Sequence, residues 1–148
     1  MLNINIVCEN EKYKPIYAND TDACMDLKVK IPNGQGILQP NEMRVWGTGC
    51  KFSIPENYVM LIFPRSSTGI KLQCMLANTT GVIDSGYRDE VKMALHNFGN
   101  KPIEIIDGQR IAQFMIIERP KINLILVDDD DNFRNGDRGG GIGSSGIL

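Results

Sequence analysis

Histidine is almost missing from this chain: His96 is the only one in 148 residues. A histidine-based metal set is thereby excluded. The four cysteines, Cys8, Cys24, Cys50 and Cys74, are spread without any C-x-x-C pair, and read as reduced thiols of a cytoplasmic protein. No apolar run approaches the ~18 residues that span a bilayer; the longest is Tyr58 to Phe63. Met1 to Glu11 lacks a basic segment followed by an apolar one, so neither a signal peptide nor a membrane association is expected. Sixteen basic residues against eighteen acidic give a net charge of -2. Stable nucleic-acid binding across a broad basic face is not expected, and an anionic substrate has to be met by a few placed arginines. Also absent is any stretch of ten or more residues at helical spacing.

What is present is a globular composition, 42% hydrophobic and 23% charged, in a 16.5 kDa chain large enough to bury a core of its own. Leu2, Ile4 and Ile6 alternate with polar residues, as do Met25, Leu27, Val29 and Ile31. Such alternation is the mark of strands with one wet face. Further strands are expected at Arg44–Ile54, Tyr58–Phe63, Glu90–Phe98, Pro102–Ile106, Arg110–Ile117 and Ile122–Val127, separated by turns such as Pro55-Glu56-Asn57 and Asp107-Gly108. The expected fold class is all-β, a sandwich, jelly roll or closed barrel. Residues 1–131 form that domain. Residues 132–148 hold six of the fifteen glycines and read as a flexible C-terminal arm.

Two segments carry the chemistry. Pro64-Arg65-Ser66-Ser67-Thr68-Gly69 places an arginine fork, hydroxyls and free backbone N–H groups after an apolar strand, a set suited to phosphate. An ordinary capped turn has the same composition. Ala77 to Arg88 gathers Asn78, Asp84 and Tyr87 around what reads as a tight hairpin, whose backbone could recognise a planar base. Asp-Ser-Gly is equally a common turn. Gly141 to Gly146 matches G-x-G-x-x-G, but two residues remain after it, so no helix can follow to hold a pyrophosphate.

Taken in order, five segments resemble the motifs of the homotrimeric dUTPase family (deoxyuridine triphosphate nucleotidohydrolases): Thr21–Leu27, Pro64–Gly69, Gly81–Glu90, Gly108–Gln113 and Arg138–Gly146. The resemblance implies a jelly-roll-like distorted β-barrel, assembled as a homotrimer whose active sites are shared and closed by the glycine-rich arm. It implies hydrolysis of dUTP to dUMP and pyrophosphate by water attack on the α-phosphorus, limiting uracil in DNA and supplying dUMP for dTMP synthesis. By the same resemblance Asp84 would orient and deprotonate the water, and Gln113 would help place it. Asn78 and the backbone of Gly81, Val82 and Ile83 would read uracil, with Tyr87 beneath the deoxyribose. Arg65, Ser66, Ser67, Gly69 and Arg138 would bind phosphates, with Ile142, Gly143 and Ser144 in the closing arm. Asp26 would hold Mg²⁺ indirectly, through water.

Three positions depart from the family pattern. Ile142 stands where an aromatic usually caps the uracil, so weaker stacking and a raised KM are expected. Cys24 and Asp89 replace glycines. Two rivals follow from the same residues. A dCTP deaminase of this fold needs a glutamate in the strand after the third motif, where this chain has Ala94. A nucleotide-binding regulatory trimer with little turnover would keep the binding residues alone.

Overall fold

The structure, a computed structural model, describes residues 1–128, 133, 135 and 136. Among them the chain runs β1 (Asn5–Cys8), a single 3-10 turn (Glu11–Tyr13), β2 (Met25–Lys28), β3 (Gln35–Leu38), β4 (Met43–Gly47), β5 (Cys50–Ser53), β6 (Tyr58–Pro64), α1 (Ser66–Ile70), β7 (Cys74–Leu76), β8 (Gly81–Ile83), β9 (Lys92–Asn97), β10 (Ile103–Ile106) and β11 (Arg110–Glu118). The pairings are antiparallel throughout, in sheets ordered β1-β5, β10-β3, β2-β11-β6-β8 and β4-β9-β7. This is the expected all-β, jelly-roll-like barrel.

The inward residues of these strands make one core. Leu27, Leu38, Met60, Ile62, Met93, Leu95, Ile105 and Ile111 are each at most 1% exposed, which strands with one wet face achieve only when sheets stack face to face. Phe52 and Phe114 meet edge to face, with centroids 5.5 Å apart, an arrangement favoured by the ring quadrupole.

Several expectations are corrected. The strand expected over Arg44–Ile54 is two strands, because Gly49 turns the chain with φ +69° and a Cβ there would collide with the Tyr13 ring. The hairpin expected around Asp84 is not a pair of mutually bonded strands: β7 pairs with β9 and β8 with β6, so the chain crosses between sheets. The phosphate-type turn after β6 is one turn of helix. Ile122–Val127 is not a strand. Having left β11, it takes no ladder partner among the described residues and exposes Ile122, Leu124, Ile125 and Leu126 by 75% or more. An apolar segment becomes a strand only where a neighbour satisfies its backbone. The boundary expected between residues 131 and 132 lies outside the described residues. No helix among them is long and apolar enough to cross a membrane.

Candidate functional site

Asp26 sits in the middle of β2, a position that alternation assigns to one face of the sheet, and is 6% exposed. Burial of a lone carboxylate is strongly unfavourable, so partners are required. They come from two other elements. Arg65 Nε lies 2.7 Å from Asp26 Oδ1, and Arg110 Nη1 lies 2.9 Å from Oδ2. Arg65 Nη1 also donates to the Arg110 carbonyl at 3.1 Å, which ties the end of β6 to the start of β11. Two of Arg65's nitrogens are thus engaged by the protein, while its remaining N–H groups can serve a ligand.

A bulge in β11 brings these groups into line. Arg110 opposes Lys28 and Ala112 opposes Leu27, so Ile111 is the extra residue. Ile111 goes into the core at 1% exposure. Beyond it Gln113 faces Asp26 on β2 and Phe63 on β6. Without the extra residue Asp26 would face Ala112. Bulges recur beside active sites because they re-aim side chains in this way. Gln113 Nε2 donates to the Pro64 carbonyl at 3.1 Å, which fixes the amide across the mouth of the site.

Asp26, Arg65, Ser66 and Gln113 line one cleft of about 390 Å³, together with Asn19, Asp22, Cys24 and neighbouring alanines. A second, adjoining hollow of about 330 Å³ shares Arg65 and is lined by Ser67, Thr68, Lys71, Gln109 and Arg110. Its lining carries three cations and no carboxylate. Between the two, α1 begins at Arg65 without a side-chain cap, so the first N–H groups of Ser66 and Ser67 are free of intrahelical partners. Gly69 has open space where a Cβ would stand. Thr68 is different: its Oγ1 donates to the Ile111 carbonyl at 2.9 Å and the residue is 2% exposed. Its hydroxyl braces the bulge.

The third group of residues lies elsewhere. Gly81, Val82 and Ile83 form β8, the edge of the four-stranded sheet, opposite Ile62, Leu61 and Met60. Gly81 is buried against the Ile62 side chain, while Val82 is 59% exposed. Met60 precedes Phe63, Gln113's partner, by three residues, so Ile83 and Gln113 are offset by roughly 10 Å along β6. Asp84 follows Ile83, is exposed, and does not line the cleft. Its carbonyl accepts the Tyr87 N–H at 3.1 Å, and the Tyr87 hydroxyl donates to the Glu90 carbonyl at 2.8 Å. Arg88 closes the loop through the carbonyls of Ser85 and Tyr87. Asn78 is exposed at the preceding turn, where Thr79 holds φ 61°. A β-branched residue in the left-handed region is strained, and such strain persists where the surroundings over-determine the backbone.

The chain therefore presents the expected site residues in two separated groups: Asp26, Arg65, Ser66, Ser67, Gly69 and Gln113 in one, and Asn78, Gly81, Val82, Ile83, Asp84 and Tyr87 in the other. Arg138, Ile142, Gly143 and Ser144 lie outside the described residues. Arg110 was not among the expected site residues. Its spacing before Gln113 held no sign of the bulge that turns it to Asp26.

The model of the dUTPase family matches residues 10–146. The chain belongs to the dUTPase family. Among curated relatives, the deoxyuridine 5'-triphosphate nucleotidohydrolase of Caldanaerobacter subterraneus subsp. tengcongensis is 38% identical over 129 residues, covering 86% of this chain and 85% of that protein. The protein of the same name from Wolbachia pipientis wMel is 38% identical over 135 residues, covering 89% and 86%. The fold superposes on a mutant dUTPase of Staphylococcus bacteriophage 80alpha with dUpNHpp, at a TM-score of 0.82 and 24% identity over 99% of this chain and 100% of that one. It also superposes on a mutant dUTPase of S. aureus phage phi11, described with a structural Mg(II) ion, at 0.77 and 22% identity over 88% and 99%. The two groups of residues divide the first, second and fourth of the segments that resemble family motifs from the third.

Proposed function

We propose that this chain hydrolyses dUTP to dUMP and pyrophosphate, with water attacking the α-phosphorus. The observation that carries this reading is the bulged β11, which sets Gln113 beside Asp26, Arg65 and Ser66 at one cleft. Phosphoryl transfer asks mainly for positioning and charge stabilisation. The free N–H groups of Arg65, the first turn of α1 and Arg138 neutralise the departing pyrophosphate. Gln113 orients the water, and Asp84 takes its proton, which requires the carboxylate within hydrogen-bond reach.

That requirement favours a homotrimer with shared sites. Asp84 and Gln113 are offset along β6 in one protomer, so Asp84 from one copy completes the cleft of another. The exposed apolar segment Ile122–Val127 supports this reading, because an apolar stretch of that length in water marks a surface for a partner. Uracil is read by β8: its free edge offers backbone acceptors and donors, and uracil N3 carries a proton where cytosine N3 has a lone pair. A buried unpaired group then rejects cytosine.

Magnesium fits this site as an ion carried by the substrate. Among the described residues no cluster of three ligating side chains could cage it, and both Asp26 oxygens already accept from arginines. Mg²⁺ keeps several waters and takes phosphate oxygens readily. Bound to the triphosphate, it would withdraw charge from the leaving group, and Asp26 would meet its waters. The deaminase alternative lacks a base: Ala94 lies in β9, and the carboxylate of Glu90 is engaged by Lys30 and Gly49.

Incubation with each nucleoside and deoxynucleoside triphosphate plus Mg²⁺ tests the proposal. Pyrophosphate is expected from dUTP far in excess of every other triphosphate; ammonia from dCTP would overturn the proposal. Light scattering should give about three times the 16.5 kDa chain mass, and a fully active monomer would refute the shared site.

A further inference from the structure

We infer that Glu90, held by Lys30, is a positioning residue for the Tyr87 ring and thereby sets how strictly a deoxyribose is preferred over a ribose. The inference rests on the reading of Tyr87 as the ring beneath the sugar. Tyr87 is 38% exposed, and a half-exposed phenol that merely fills space has no need of a fixed partner. This one is fixed at its tip, its hydroxyl donating to the Glu90 carbonyl at 2.8 Å. The ring position is thus inherited from the Glu90 backbone.

That backbone is clamped from elements distant in sequence. Glu90 Oε1 accepts from the Gly49 N–H at 2.8 Å and from Lys30 Nζ at 2.9 Å. Lys30 also pairs with Glu9 at 2.7 Å. Gly47 makes room for the carboxylate, since a Cβ there would collide with it. The next residue, Val91, is fully buried, donates to the Cys50 carbonyl at 3.0 Å, and accepts from the Thr48 N–H at 3.0 Å. Burial works against ionisation of Glu90, but the Lys30 ammonium and the Gly49 N–H outweigh it and hold the carboxyl below its ordinary range. The carboxylate is charged at neutral pH, and the ion pair is in place.

Among the described residues, neither Glu90 nor Lys30 lines the phosphate cleft, so their substitution separates sugar selection from chemistry. The ratio of kcat/KM for dUTP to that for UTP reads the ring position directly. Glu90→Gln and Lys30→Met should each lower that ratio about tenfold, the equivalent of one hydrogen bond to a charged group, with a raised KM for dUTP. Tyr87→Phe, which keeps the ring and loses its anchor, should do the same, and Lys30→Arg should restore the ratio. A lowered melting temperature with an unchanged ratio in both Glu90→Gln and Lys30→Met would overturn the inference and leave only a structural brace. If one variant fails to fold, the other and Tyr87→Phe decide the matter. Tyr87→Ala separates the two levels. If it leaves the ratio unchanged, the role of Tyr87 and this inference both fall; if it lowers the ratio while Glu90→Gln and Lys30→Met do not, only this inference falls.

Discussion

Arg65 and Asp26, thirty-nine positions apart in sequence, meet at 2.7 Å through Nε and Oδ1, and Arg110 holds the second carboxylate oxygen. The carboxylate is almost fully buried, whereas the Arg110 side chain is 43% exposed, so solvent screens part of the interaction. Asp26→Asn leaves two guanidinium groups facing an amide. A loss of about 1–3 kcal/mol in unfolding free energy is expected, below the figure for a wholly buried pair. Because Arg65 is then free to move, kcat/KM for dUTP should fall by more than the stability change alone explains. Denaturant unfolding and steady-state kinetics on the same preparation check both, and an unaltered kcat/KM would separate this ion pair from function.

Asp84 stands in contrast: it is exposed, and among the described residues no hydrogen bond reaches its carboxylate. Asp84→Asn should therefore leave the melting temperature within the effect of a neutral surface change, about 0.5 kcal/mol. An amide cannot accept the water's proton. The expected result is a kcat lower by roughly 10² to 10⁴, with the Kd for a non-hydrolysable dUTP analogue nearly unchanged. Retained turnover would require a different base.

How much of this could be seen in the sequence depends on whether the signal was local. Met25, Leu27, Val29 and Ile31 alternate plainly, and their chain is inward-facing at every second step. β3 escaped because its inward residues include Gly36, which gives no hydrophobic signal; a side chain there would collide with Trp46. β7 and β8 are three residues each, and α1 is five, too short for any period to show. Ile122–Val127 is rich in branched apolar residues and still is no strand, since composition records a preference and pairing requires a partner. The site followed the same division. Arg65 and Ser66 could be named from local chemistry and Gln113 from the resemblance to the family, whereas the role of Arg110 depends on a bulge, and the separation of Asp84 from Gln113 on the strand order β11-β6-β8.

Acid stability provides a test of a contact remote from the cleft. Asp107 is partly buried, which opposes its charge, but the Lys12 ammonium, the Ile31 N–H and the Tyr13 hydroxyl hold its carboxyl below the ordinary value. The folded pKa is thus lower than the unfolded one of about 3.9. Between those values the unfolded chain binds more protons, so the contribution to stability is complete above about pH 4 and is lost as the pH falls through the folded pKa. Melting temperature followed from pH 6 down to pH 2 should decline in that window. In Asp107→Asn it should start lower at pH 6 and decline less, and parallel curves would show that other carboxylates control the acid limb.

Cys8 and Cys50 are directly opposed across β1 and β5 with Sγ atoms 3.1 Å apart. The Glu9 N–H bonds the Gly49 carbonyl at 2.8 Å, the pattern that flanks a non-hydrogen-bonded pair. Such pairs have Cα atoms about 4.5 Å apart, inside the range a disulfide accepts. Burial pushes the Cys50 thiol well above its ordinary pKa, so the half-buried Cys8 is the attacking group. With hydrogen peroxide its thiolate becomes a sulfenic acid as the peroxide is reduced to water, and condensation with Cys50 releases a second water. The bridge spans 42 positions and should raise the unfolding free energy by up to about 4 kcal/mol on the chain-entropy model. Intact mass should fall by two hydrogens per chain, with Cys24 and Cys74 still alkylated by iodoacetamide once the chain is unfolded in denaturant. Cys8→Ser should abolish both the mass change and the stabilisation; a mass change that persists in Cys8→Ser would mean that another pair is being joined.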